Sequence, residues 1–338
     1  MTSLLAREIH DQPRVLARFR RREGERVLEL GGRIGRSQPR GVLIAARGSS
    51  DHVAVYAKYV LGQRLGLPVA LAAPSLVTIY QGQLHLEGWL TLAISQSGAS
   101  PDVVSVIAVA RDQGSQTVAI TDRPDSDLGR AADQVIPLHV GGERSVAATG
   151  SFTASLYAVA HLCAGWEDAD VEAELDLVAE HVAGALECEG RVRSLAARLA
   201  DAPALVIIGR GFGFPVALEW SLKLKEVAAM SAEAFSAADY RHGPIALASS
   251  GVPVLLCDSA VSAGAELEEL ERELGGRGVD VYRISDAEES ALQIPLGPEW
   301  LAPIPAAVPG QLLALHLARA RGMDPDSPKG LRKVTETF

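Results

Sequence analysis

The stretch Val42-Leu43-Ile44-Ala45-Ala46-Arg47-Gly48-Ser49-Ser50 is a short apolar run that ends in a glycine and two hydroxyls. A helical pattern follows from Asp51, with Val53, Tyr56, Val60 and Leu61 on one side and Gly66 as its stop. Further short runs come at Pro68–Leu71, Leu90–Ile94, Thr117–Ile120 and Gln134–Leu138, with a helix predicted over Pro101–Gln113. Strands alternating with helices of about ten residues or more imply βαβ units and a parallel sheet.

The pattern returns further along the chain. Ala204-Leu205-Val206-Ile207-Ile208 ends in Gly209-Arg210-Gly211 and leads into a helix from Pro215, as Leu43–Gly48 leads into its own. Val252–Leu256 matches Leu90–Ile94, and Val279–Ile284 matches Thr117–Ile120, at an offset near 163 residues. A constant offset over three strand–loop units indicates duplication of one α/β domain. The expected organisation is a helical arm over 1–40, a first domain over 41–188, a second over 189–325 and a tail over 326–338. The helical stretch from Val171 to Leu199 joins the two copies.

Composition narrows the function. The 338 residues suffice for two domains, and 48% are apolar with few aromatics, which suits helices on a buried parallel sheet. A formal net charge of −10 speaks against nucleic-acid binding. Cys163, Cys188 and Cys257 fit no metal spacing or disulfide framework. Neither a signal peptide nor a membrane span is read in the sequence, so a soluble cytoplasmic protein that binds neither nucleic acid nor membrane is expected.

Two clusters carry chemistry. The first is Ser95-Gln96-Ser97-Gly98-Ala99-Ser100, with Pro101 and Asp102 opening an apolar helix. Ser100 suits the N-cap and Pro101 the first helical position. Free N–H groups, the helix dipole and the hydroxyls of Ser95, Ser97 and Ser100 suit a phosphate, with Gly48, Ser49 and Ser50 at the neighbouring strand end. A Ser/Gly turn that only caps a helix has the same local pattern. The second copy has Cys257-Asp258-Ser259-Ala260 at the matching place, where the aspartate would repel an anion.

The second cluster is Glu219, Lys223 and Glu226, which share one helical face at i, i+4 and i+7. A partly desolvated carboxylate beside a lysine suits proton transfer, although a solvated face with ion pairs has the same spacing. His242 lies in a turn, Tyr240-Arg241-His242-Gly243-Pro244, as either a catalytic or an exposed histidine. The end of the chain carries Lys333 after Pro328-Lys329-Gly330, in a segment whose Val334, Thr335 and Phe338 suggest docking.

Taken in order, these motifs resemble the double sugar-isomerase (SIS) domain family, and within it the isomerase half of glutamine–fructose-6-phosphate amidotransferase. Ile9–Pro13 resembles the family's opening segment. Arg47–Ser50 and Ser95–Gly98 resemble its sugar-phosphate loops, and Glu143–Thr149, with Val146, Ala147 and Ala148 facing the substrate, its closing loop. Glu219–Glu226, His242–Pro244 and Leu331–Thr335 resemble its catalytic helix, histidine loop and lysine tail. The resemblance implies two tandem SIS domains, each a flavodoxin-like three-layer sandwich, and no cofactor.

It also implies roles. Glu226 would move a proton between the first two sugar carbons, and His242 would assist ring opening. Lys333 would meet the open-chain carbonyl, Lys223 would support charge, and Glu219 would position the amine or hydroxyl. A homodimer with its active site near the subunit interface is expected. The chain departs from the amidotransferases at Ala99, where they often carry Glu, and at Ala148 and Gly150, where they carry Ser and Lys. It begins Met1-Thr2-Ser3, without the cysteine nucleophile of a glutaminase, so the expected reaction is removal of the amine. Glucosamine 6-phosphate would yield fructose 6-phosphate and ammonia. The alternatives are an isomerase or deglycase of another phosphorylated amino sugar or fructosamine, a synthase isomerase domain lacking its glutaminase, and a sugar-phosphate sensor.

Overall fold

The computed structural model describes residues 3–249, 251–331 and 333. The chain forms two compact units. One comprises residues 14–144 and 150–176, together with Lys333; the other comprises 145–149 and 177–331, together with the start of the chain as far as Pro13.

In the first unit the strands are Val42–Ala46 (β1), Val69–Leu71 (β2), Leu90–Ile94 (β3), Gln116–Thr121 (β4) and Gln134–Pro137 (β5). They form one parallel sheet in the order β2-β1-β3-β4-β5. Every residue of β1 and β3 is buried, as a strand covered on both faces requires. Leu43, Ala45, Ala93 and Ala119 form one face and cluster with Val103, Val106 and Ile107 of the Pro101–Asp112 helix. Helices Ser49–Leu65 and Gly150–Glu167 pack together and cover the sheet's other face.

The second unit repeats this plan with Leu205–Gly209 (β6), Ala232–Ser236 (β7), Val254–Cys257 (β8), Val281–Ser285 (β9) and Leu292–Gln293 (β10). All pairs are parallel, and the order β7-β6-β8-β9-β10 matches that of the first sheet. Ile208, Val254 and Leu256 pack on Leu267, Leu270 and Leu274 of the Gly264–Gly276 helix. Helices Gly213–Ala228 and Pro303–Ala320 pack against each other, and Trp220 Nε1 donates to the Ala306 carbonyl at 3.0 Å. The α/β class and its duplication are thus as read from the sequence.

The expected N-terminal arm is a 33-residue helix, Leu4–Arg36. It is not a peripheral appendage: Leu5, Ile9, Val15, Leu16, Phe19, Val27, Leu30 and Ile34 are buried. In the first unit it crosses the Gly150–Glu167 helix with backbones nearly touching. A Cβ on Gly165 would lie 2.0 Å from the Leu28 carbonyl oxygen, and one on Gly31 would lie 2.3 Å from that of Leu162. Among the described residues, no helix is long and apolar enough to cross a membrane.

His161 is fully buried beside this crossing, edge-on to Tyr157 and Phe19. Its Nδ1 lies 2.9 Å from the Tyr157 carbonyl, and its Nε2 has no partner among the described residues. Burial outweighs that carbonyl and lowers the pKa to about 4. The unfolded chain therefore takes up this proton before the fold does. The histidine's contribution is fully present above about pH 6.5 and is lost as pH falls towards 4. His161→Phe should flatten the fall in unfolding free energy over that window by about 3 kcal/mol, read by urea denaturation at a series of pH values. Gly165→Ala should lower stability at neutral pH by about 1–3 kcal/mol through overpacking.

Candidate functional site

In the first unit β1 and β3 lie side by side and end together, Ala46 opposite Ile94. Open α/β sheets receive ligands at this edge. Gly48 adopts φ 55°, ψ −132°, a conformation that favours glycine, and turns the chain so that Ser49 and Ser50 open the Ser49–Leu65 helix. Gly98 has φ 62°, and a Cβ there would lie 2.0 Å from Ser126 Oγ.

Bonding within the Ser95–Ser100 loop is polarised. The Gln96 carbonyl accepts from Asp122 N–H and Thr121 Oγ1, each at 3.2 Å, and the Gly98 carbonyl accepts from Leu128 N–H at 3.0 Å. The N–H groups of Gln96 and Ser97 have no acceptor among the described residues. Carbonyls are thus used by the protein while donors stay available, which suits an anion.

Pro101 occupies the first helical position as expected, but the Ser100 hydroxyl makes no capping bond. Asp102 takes that part instead, its Oδ1 accepting the Val103 N–H at 2.8 Å. Its Oδ2 accepts from Arg47 Nε at 2.7 Å, so Arg47 and Asp102 latch the two loops together. The second unit has the same latch, Arg210 Nε to Glu266 Oε2 at 2.9 Å.

The Gly213–Ala228 helix brings Glu219, Lys223 and Glu226 together. Lys223 Nζ lies 3.4 Å from Glu219 Oε1 and also donates to Glu226 Oε2. The side chains of Glu219 and Lys223 are 0% and 1% exposed, whereas that of Glu226 is 22% exposed. The alternative of a solvated ion-pair face is therefore wrong. This is a buried ammonium between two carboxylates, only one of which solvent or a substrate can reach. His242 is exposed, and its imidazole has no hydrogen bond among the described residues. Its loop is pinned on both flanks through Glu273. One Glu273 oxygen accepts from Arg241 and the other from Arg277, each at 2.8 Å, and Arg277 also donates to the Ile245 carbonyl at 3.1 Å.

Of the expected closing-loop residues, Ala147 is buried and Val146 and Ala148 are half-buried. Their loop is held by Ser145 N–H donating to Glu8 Oε2 at 3.1 Å. Lys333 Nζ donates to Glu143 Oε2 at 2.9 Å. Glu143 is buried and also accepts from the Ser151 hydroxyl at 2.7 Å, at the start of the Gly150–Glu167 helix. The reading from sequence gave Glu143 no role of its own. Arg332 and residues 334–338 of the expected tail lie outside the described residues. Among the described residues, no group of three His, Cys, Asp or Glu is placed to hold a metal ion.

Comparison with known proteins places the chain. The SIS domain family profile matches residues 37–164 and 198–294, more than half of the chain. The chain belongs to the SIS domain family. It is 32% identical over 345 residues to the glutamine–fructose-6-phosphate aminotransferase of Pyrococcus horikoshii, covering 97% of this chain and 57% of the relative. The Streptomyces coelicolor enzyme of the same name is 33% identical over 364 residues, covering 98% and 58%. The chain thus spans a little over half the length of these relatives. Among solved structures, a protein from Silicibacter pomeroyi provisionally assigned as a phosphosugar isomerase superposes with TM-score 0.89 and 32% identity, over 96% of this chain and all of that one. The glucosamine-6-phosphate deaminase of Thermotoga maritima shares the fold, with TM-score 0.84 and 24% identity over 99% of this chain and 100% of the other.

Removing the buried cation should be costly. Lys223→Ala takes the ammonium out from between Glu219 and Glu226, and should lower stability by about 3–5 kcal/mol in urea unfolding. Adding Glu219→Gln should restore part of that loss, because the repulsion it relieves is the cause.

Proposed function

We propose that this chain is an amino-sugar-phosphate enzyme that converts glucosamine 6-phosphate to fructose 6-phosphate and ammonia. The observation that carries the reading is the Glu219–Lys223–Glu226 cluster, in which a buried ammonium holds one accessible carboxylate. In the proposed reaction the Ser95–Ser100 loop binds the phosphate and His242 assists ring opening. Glu226 then removes the proton from C2 and delivers it to C1, leaving an imine at C2 that water hydrolyses to the ketone and ammonia. Lys333 is the cation that meets the open-chain carbonyl. The similarity to amidotransferases that act on fructose 6-phosphate supports the substrate class.

The cysteines take no part in the proposed reaction. Cys163 and Cys188 are buried, which pushes their thiols up to about 12, and burial raises Cys257 as well. None of these cysteines is a nucleophile able to release ammonia from glutamine.

Incubation with glucosamine 6-phosphate should release ammonia and fructose 6-phosphate in equal amounts. Glu226→Gln should reduce turnover by about a hundredfold or more while leaving substrate binding within a few-fold. Absence of ammonia from the folded protein would sink the reading. Ala148 and Gly150, in place of the hydroxyl and lysine of the amidotransferases, favour a second substrate. A phosphorylated fructosamine belongs in the same assay, and turnover of it alone would replace the first assignment.

A further inference from the structure

The Ser95–Ser100 loop contains no lysine or arginine, and the chain carries a formal net charge of −10. At the neighbouring strand end, Arg47 already has its Nε on Asp102. A doubly charged anion held by the loop's N–H donors would be bound more tightly with a cation from elsewhere in the unit. We infer that Arg123 supplies it, pairing with the anion held by the loop and restricting the site to phosphorylated ligands. The inference rests on the phosphate reading of that loop.

Arg123 and Ser97 line one open cleft of about 490 Å³, together with Pro124, Asp125 and Ser126. Asp125 shares this cleft, so without Arg123 its charged side chains would be negative only. The backbone at Arg123 is set before any ligand arrives. Its N–H donates to Thr121 Oγ1 at 3.1 Å, and its carbonyl accepts from Ser126 N–H at 3.0 Å, closing a turn with Pro124 next in line. That turn and the phosphate loop form one wall, since Gly98 abuts Ser126 and Gln96 bonds Thr121 and Asp122.

The guanidinium is also unclaimed. Among the described residues it has no carboxylate partner, whereas Arg47, Arg111 and Arg130 of the same unit pair with Asp102, Asp133 and Asp127. The duplication supplies an internal control. Ile94 pairs with Ile120 in the first sheet, and Cys257 with Ile284 in the second. Counting on from these pairs sets Ser95 against Asp258 and Arg123 against Ala287. The copy with the serine loop has the arginine; the copy with the aspartate lacks it. In that second copy Asp258 takes Arg283 Nε at 2.8 Å, so this strand end carries its own internal ion pair.

The test uses inorganic phosphate as the probe, at constant ionic strength held with chloride, and reads the thermal midpoint across a titration. Phosphate should stabilise the wild type. Arg123→Ala should weaken the apparent affinity by about tenfold or more, Arg123→Lys should recover much of it, and Arg130→Ala should leave it unchanged. If Arg123→Ala titrates like the wild type, the inference is overturned while the phosphate site stands. If the wild type itself does not respond to phosphate, the phosphate reading fails and the inference falls with it.

Discussion

A parallel sheet covered on both faces leaves only its strand ends for chemistry. Each unit of this chain is built on that constraint. In the first, β1 and β3 are buried throughout, and polar groups gather where they end, at Arg47–Ser50 and Ser95–Ser100. Helix dipoles and unused N–H groups make such an edge electropositive without a basic surface. That is how a chain with a formal net charge of −10 can still present a site for an anion.

Duplication shows which parts of the edge are architecture and which are chemistry. The arginine–carboxylate latch persists in both copies, as Arg47–Asp102 and Arg210–Glu266. It ties the loop after one strand to the start of a helix, a mechanical task both copies share. The neighbouring loop does not persist. Ser95 becomes Asp258, and the carboxylate is paired with Arg283 within the fold. One copy keeps donors open to a ligand; the other closes its edge with an internal ion pair. The second copy instead carries its charged cluster inside a helix, at Glu219, Lys223 and Glu226.

The fold was legible where local pattern and burial agree. Val42–Ala46 and Leu90–Ile94 are continuous apolar runs, and their observed bounds are those read from sequence. The edge strand Ala232–Ser236 was not legible, since it carries Glu233 and has no apolar run to mark it. Residue spacing placed Glu219, Lys223 and Glu226 on one face but could not say whether water covers it, because a surface helix uses the same i,i+4 spacing. Their burial comes from packing of the Gly213–Ala228 helix against its sheet and the Pro303–Ala320 helix. Glu143 and Lys333 meet across 190 residues, which no local pattern signals. Ser100 looked like a cap by residue type, yet Asp102 reaches the same N–H from inside the helix and leaves the serine unused.

The division of labour between Glu219 and Glu226 follows from solvation. Two carboxylates near one ammonium are not equivalent when one is sealed and the other 22% exposed. A base must meet its proton donor directly, and Glu219, with no exposed surface, cannot reach a sugar carbon without rearrangement of the helix. Its effect passes through Lys223. Glu219 shares the ammonium with Glu226, so one cation is divided between the sealed carboxylate and the accessible one. Burying Glu219 and Lys223 beside a third charge on one helical face makes a poor device for stability alone, since well-packed apolar side chains serve that purpose as well or better. It fits the proposed role of Glu226, in which one of the three exchanges a proton while the other two hold it in place.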